Sequence, residues 1–323
     1  MNSPTRTWAL VLAAGEGSRL KSLTTDASGV AIPKQFCSLD GGESLMREAL
    51  HRAAHVAPPE RRCVVVAEQH RSWWRTALAD VAPPNIIVQP RNRGTAHGIL
   101  LPLLHILARD PDAVVVLLPA DHHIQDEIAF AEPLRRAARL AAECRDELFL
   151  LGVEPDSPDT ELGYILPVRE GSMRASAVAH FIEKPPLRQA QALLERGALW
   201  NVFIIAATAR ALLQLFLARD AALVERFAAA RDRTGALEDL YDELAAADFS
   251  RDVLEGQEAR LRVVPVPACG WSDLGTPQRV AATLHRLERR PNAGTGMGRG
   301  AALSLALQYA RGAFGASTLQ VAS

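Results

Sequence analysis

Near the N-terminus, a glycine-bearing loop, an arginine and a lysine set by a proline follow one another. Together they have the donors to hold a chain of phosphates. In Gly15-Glu16-Gly17-Ser18-Arg19 two glycines permit backbone angles that other residues avoid, so successive N–H groups can turn inward on an anion. Arg19 adds a planar fork of donors that suits phosphate oxygens. Pro33-Lys34-Gln35-Phe36 then supplies a lysine on a stiffened backbone. An ordinary tight turn is the competing reading of such a loop. No Gly-Lys-Ser/Thr follows the glycines, and Leu20 stands where a dinucleotide fingerprint would have its third glycine. Farther along, Asp121 and Asp273 each follow an apolar run. A carboxylate so placed can bind Mg²⁺ together with phosphate oxygens, or merely cap a helix. Lys184, ahead of Pro185-Pro186, is either an aimed cation or an exposed ion-pair partner. His51 and His55 have a metal-ligand spacing without a third ligand, and a helix surface is their expected place.

The elements that must position these groups follow from periodicity. Trp8–Ala14 is continuously apolar and ends in the glycine loop, which predicts a strand buried on both faces. Cys63–Ala67, Ile86–Gln89, Ala113–Leu118 and Leu148–Val153 read as further strands. Helical stretches lie between them: Glu43–Val56, a segment holding Trp73 and Trp74, Ala96–Asp110 and Ile128–Arg145. Strands alternating with helices predict an α/β, doubly wound and mostly parallel sheet with helices on both faces. Ligands of such sheets bind beyond the carboxyl ends of the strands, where Gly15, Arg91 and Asp121 all fall. From Glu154 the alternation breaks, and strands are expected at Gly163–Leu166, Val178–Glu183, Trp200–Ala206 and Leu261–Val266. A short helix over Arg188–Arg196, three helical stretches up to Ala247 and a final helix from Pro277 to Arg290 complete a domain over 1–290. Residues 291–323 read as a glycine-rich linker and a weakly helical tail.

Bulk composition narrows the function classes. The 323 residues are 48% hydrophobic and 23% charged, as in an ordinary globular protein with a substantial core. With 36 basic and 37 acidic residues the formal net charge is −1, so no global field favours nucleic acid or an anionic membrane. Phosphate binding must be local. The opening MNSPTRTW lacks a basic region followed by a long apolar run, and no apolar stretch has the length of a membrane span. Cys37, Cys63, Cys144 and Cys269 have no paired spacing, which fits reduced thiols and a cytoplasmic location.

Six segments in order resemble the motifs of sugar-1-phosphate nucleotidylyltransferases. Leu12–Arg19 with Pro33–Phe36 resembles the family signature, and the Pro-Lys-Gln-Phe form is similar to the mannose-1-phosphate guanylyltransferase (GDP-mannose pyrophosphorylase) branch. The remaining matches are Gln89-Pro90 with Gly94-Thr95-Ala96, Leu118–His122, Gly152–Ile165, Phe181–Pro185 with Trp200-Asn201, and Trp271–Gly275. The resemblance implies transfer of a nucleotidyl group from an NTP to a sugar 1-phosphate, with GTP and mannose 1-phosphate expected. UTP or another base with a different hexose phosphate, or a non-catalytic nucleotide-sugar sensor, are the alternatives. It further implies Arg19 and Lys34 as catalytic groups, with the nucleotide on Leu12, Ala13, Ala14, Gly15, Gly17, Ser18, Gln89, Pro90, Gly94 and Thr95. Gly163, Glu183, Lys184 and Asn201 would hold the sugar phosphate, and Asp121 and Asp273 would share one Mg²⁺. Homo-oligomerisation is left open. Departures from the branch include Gly94 for its usual asparagine, His97 for proline and Val202 for serine or threonine.

Overall fold

The protein is described here by a computed structural model that covers residues 6–25, 29–168 and 175–288. The expected tail over 291–323 lies outside the described residues. Nine strands form one sheet: β1 (Thr7–Leu12), β2 (Arg62–Ala67), β3 (Ile86–Gln89), β4 (Val114–Pro119), β5 (Leu148–Val153), β6 (Gly163–Pro167), β7 (Ser176–Glu183), β8 (Leu199–Thr208) and β9 (Leu261–Val266). The helices are α1 (Lys21–Thr24), α2 (Leu45–Ala53), α3 (Arg71–Ala77), α4 (Thr95–Arg109), α5 (Glu127–Glu143), α6 (Leu187–Glu195), α7 (Ala209–Ala230), α8 (Thr234–Glu243) and α9 (Pro277–Glu288).

The apolar runs become strands buried on both faces because successive side chains alternate between two cores. Trp8 and Leu10 of β1, with Val115 and Leu117 of β4, join the core under α4 and α7. Ala9 and Val11, with Val114, Val116 and Leu118, join the core under α2, α5 and α6. Each large side chain so buried contributes on the order of 1.5–3 kcal/mol. The outcome is three layers, with the sheet between two sets of helices.

The sheet order is β3-β2-β1-β4-β8-β5-β9-β7-β6, with β6 also pairing β8. The expected parallel arrangement holds across β3, β2, β1 and β4 and again between β5 and β9. β8 enters antiparallel to both β4 and β5, and β6 pairs antiparallel with β7. The sheet is therefore mixed where the βαβ alternation breaks, and β6 and β7, consecutive strands without a crossover helix, turn back on each other. In α7 the backbone leaves helical angles at Asp220, whose carboxylate accepts the Leu223 amide and restarts the helix. The three helical stretches expected before Ala247 are thus the two halves of α7 and α8. Of the adjacent tryptophans, Trp74 is buried and donates to the Ala67 carbonyl, while Trp73 is half-buried.

Candidate functional site

β1 pairs with β2 on one side and β4 on the other, with Leu12 opposite Pro119 at their carboxyl ends. The chain winds away from β1 in both directions, so the loops leaving β1 and β4 diverge and open a crevice. A cleft of about 490 Å³ occupies it. Leu12, Ala14, Gly15 and Arg19 line one side, and Gln89, Gly94 and Thr95 the next. Asp121 and Asp273 lie at its base, and Gly163, Glu183, Lys184 and Asn201 at the far end. Ala13, Gly17, Ser18, Lys34 and Pro90 do not reach its lining. Ala13 is buried below, with its amide on Val65 and its carbonyl on Gln35 Nε2. That same side-chain nitrogen also donates to the Gly15 carbonyl, so Gln35 fixes the glycine loop. Arg91 is exposed and pairs with Asp242, away from the cleft, so the expected convergence holds for Gly15 and Asp121 but not for Arg91.

Asp121 and Asp273 stand far apart in the chain, and two features bring them together. The backbones of His123 and Ser272 exchange hydrogen bonds of 2.9 Å in both directions, which zips the loop after β4 to the segment after β9. Lys34 Nζ, almost fully buried, lies 2.8 Å from Asp121 Oδ2 and donates to the carbonyl oxygens of Asp273 at 2.7 Å and Leu274 at 3.4 Å. Burial opposes charge on the Asp121 carboxyl, but Lys34 and then His122 outweigh it and hold the group below the usual carboxylate range. His122 is pushed down by burial, with Asp121 opposing, and its Nδ1 accepts from the Trp271 indole at 3.3 Å. The Asp273 carboxylate faces Arg279, whose Nη1 is 2.6 Å from both of its oxygens. Arg279 also donates to Asp159, in the loop before β6.

On the side of the cleft beyond β3, Gly94 has φ of 88° and ψ of 172°, a backbone region almost confined to glycine. The segment after α8 presses on it: a Cβ on Gly94 would lie 2.2 Å from the Ala247 carbonyl oxygen. Hydrogen bonds from the Ala96 amide to Ala247, from the Ala247 amide to Arg93, and from the Phe249 amide to Thr95 Oγ1 fix this contact. Ala247, Asp248, Ser250 and Arg251 thereby form a wall of the cleft. His97 turns its Nδ1 to the Arg93 carbonyl and stacks on Phe227 with ring centroids 5.7 Å apart.

At the far end, Gly163 lets Glu183 come close: a Cβ there would meet Glu183 Oε2 at 2.5 Å and push that carboxylate aside, with the Asn201 Cβ at 3.4 Å. Glu183 is pushed up to about 7, chiefly by burial and next by Asp248, with Lys184 3.6 Å away opposing. Among the described residues, Lys184, Phe203 and Leu274 are the non-glycine residues with positive φ. Two of them line the cleft and the third follows Asp273. Backbone strain of roughly 1–3 kcal/mol per residue is thus concentrated at the site. Arg19 closes the mouth through a 2.7 Å ion pair with Glu161, both half-exposed.

With this fold and this cleft, the chain belongs to the Nucleotidyl transferase family, whose sequence profile matches residues 8–289. A mannose-1-phosphate guanylyltransferase of Escherichia coli K12 is 36% identical over 203 residues, 60% of this chain and 41% of that protein. The alginate biosynthesis protein AlgA of Pseudomonas aeruginosa is 30% identical over 279 residues, 83% of this chain and 56% of that protein. The chain thus spans about half the length of the curated relatives it matches. A crystal structure described as a mannose-1-phosphate geranyltransferase from Thermus thermophilus superposes with a TM-score of 0.72 at 28% identity. That match covers 89% of this chain and 80% of the other.

Members of this family generally depend on a divalent metal. Two carboxylates at the base of a cleft, completed by substrate phosphate oxygens, are a donor set that suits Mg²⁺. Asp121 and Asp273 both line the cleft and fit it in type, but each already carries a cationic side chain, Lys34 and Arg279, and among the described residues no group of three or more His, Cys, Asp or Glu side chains gathers there. His51, on the exposed face of α2, pairs with Glu43 as expected of a helix surface, while His55 lies in the turn beyond the helix and accepts from Arg135. Sequence reasoning missed Gln35 as a cleft residue, the wall from Ala247 to Arg251, and Arg279. Gly94 was the only local signal of the wall, and nothing in the pattern around Arg279 pointed to Asp273.

Proposed function

We propose that this chain transfers a nucleotidyl group from an NTP to a sugar 1-phosphate, releasing an NDP-sugar and pyrophosphate. GTP and mannose 1-phosphate are the proposed pair, supported by relatives named as mannose-1-phosphate guanylyltransferases. The observation that carries the reading is the Lys34 ammonium set between Asp121 and the Asp273 backbone, behind the two acidic residues that line the cleft. Arg19 and Gly15 line the same cleft on one side, and Lys184 and Glu183 on the other.

In this reading the triphosphate lies along Gly15 and Arg19, with Arg19 exchanging Glu161 for phosphate oxygens. The base rests between Gln89, Gly94-Thr95 and the wall at Ala247. Glu183 and Asn201 take sugar hydroxyls, and Lys184, held by its strained backbone, aims the sugar phosphate at the α-phosphorus. A phosphate oxygen attacks in line with the departing pyrophosphate. Positioning and charge neutralisation then supply most of the rate. Mg²⁺ held by Asp121 and Asp273 would neutralise charge on the α-phosphate and the leaving group. Lys34 keeps the two acid-bearing loops in register and adds a buried positive charge beside them.

The unit proposed to act is the domain over 1–290, with 291–323 an appendage to it. A cytoplasmic place is proposed with it, and among the described residues no helix is long and apolar enough to cross a membrane. One chain supplies every group invoked, so self-association would be an addition to the mechanism. Pyrophosphate release should be measured across a matrix of NTPs and sugar 1-phosphates with Mg²⁺. Turnover is expected with GTP only when mannose 1-phosphate or a related hexose phosphate is present. Preference for another base would overturn the base assignment. Tight binding of nucleotide sugar with no turnover by any pair would overturn catalysis in favour of a sensing role.

A further inference from the structure

Arg279 occupies the carboxylate that the metal would use, and nothing in the resemblance or the relatives assigns it a part. It projects from α9, two residues beyond the opening proline. Its Nη1 lies 2.6 Å from both Asp273 oxygens, its Nη2 donates to Asp159, and all three side chains are largely buried. The Gly275 amide also donates to Asp273 Oδ1 at 3.0 Å, so both oxygens of that carboxylate already accept hydrogen bonds from the protein. Asp121 differs: it is more exposed, and only its Oδ2 is held closely, while Oδ1 is 3.8 Å from His122.

We infer that Arg279 is a positioning residue that acts as the resident counter-cation of Asp273 and weakens metal binding until metal and nucleotide arrive together. The inference rests on the proposed Asp121–Asp273 metal site. A guanidinium and a divalent cation compete for the same carboxylate oxygens, so a metal ion alone must displace Arg279 with only water to complete its shell. A metal ion that brings phosphate oxygens has extra ligands to offset that exchange. Arg279 keeps Asp159 as a partner when Asp273 turns to the metal, so the guanidinium is not stranded without an anion. Asp159 Oδ1 also accepts the amide of Glu161, the residue paired with Arg19. The exchange therefore joins the metal end of the cleft to the strap across its mouth.

The test is a Mn²⁺ titration of the full chain without nucleotide, read from the electron paramagnetic resonance signal of free Mn²⁺. Arg279→Gln should bind Mn²⁺ at least tenfold more tightly than the wild type, and Arg279→Gln combined with Asp273→Asn should lose that gain. Arg279→Lys places one compact ammonium where a fork had served two acids. It should fall between wild type and Arg279→Gln, and it carries the test if the glutamine variant does not fold. Circular dichroism establishes which variants are folded. Equal Mn²⁺ affinity in wild type and folded Arg279 variants, with Asp121→Asn weakening all of them, would overturn the role of Arg279 and leave the metal site standing. No Mn²⁺ binding by any variant would overturn the metal site itself, and the inference with it.

Discussion

Gly94→Ala tests whether the wall from Ala247 to Arg251 shapes the end of the cleft proposed for the nucleotide. The added methyl group would lie 2.2 Å from the Ala247 carbonyl oxygen and 2.9 Å from its carbonyl carbon and amide nitrogen, all of them backbone atoms. If the wall stays, the backbone region at φ 88° costs about 1–3 kcal/mol for alanine, and the overlap adds about 1–3 kcal/mol. If the wall retreats, three hydrogen bonds go: Ala96 to Ala247, Ala247 to Arg93, and Phe249 to Thr95. Each contributes about 1 kcal/mol net. The first route costs roughly 2–6 kcal/mol and the second about 3 kcal/mol, which for a domain of this size lowers Tm by roughly 4–24 °C. Thermal unfolding followed by circular dichroism reads the first effect. Steady-state kinetics with varied GTP reads the second, a higher KM for nucleotide with little change for the sugar phosphate. Ala247→Gly should not rescue the variant, because the obstructing atoms are backbone. A Gly94→Ala protein with Tm within about 2 °C of wild type and an unchanged nucleotide KM would refute the reasoning.

Lys34→Ala should lower kcat by roughly two orders of magnitude or more, as for the loss of other preorganised charges. A change confined to the KM for sugar phosphate would mean that Lys34 serves substrate binding instead. Glu183 should make the protein less stable as pH rises. Its folded-state pKa, about 7, lies above the ordinary 4.5, so between those values the native state holds a proton that the unfolded state has released. The stabilisation is fully present below about 4.5 and lost through about 7, roughly 2 kcal/mol between pH 5 and 8. Urea unfolding of wild type against Glu183→Gln across that range reads it, and parallel curves for the two proteins would count against the shift.

The sequence by itself determined every strand that carries the site. Runs such as Trp8–Leu12 and Val114–Leu118 are apolar at every position, which suits only strands covered on both faces. The glycine loop, Asp121 and the parallel order around β1 follow from that alternation, because a βαβ chain leaves its loops at the carboxyl ends. What the sequence left open is long-range. The antiparallel insertion of β8 between β4 and β5 has no local signature, since period-two burial is the same for either strand direction. The meeting of Asp121 with Asp273 depends on a two-residue bridge between His123 and Ser272 and on a lysine from a third segment. Gly94 reads locally as a departure from a pattern, and only the fold reveals the carbonyl of Ala247 that excludes any side chain there. Arg279 likewise looks like a surface residue of an amphipathic helix. Tertiary packing alone turns it onto Asp273 and Asp159, because a guanidinium's partners are chosen by which carboxylates the fold brings within reach.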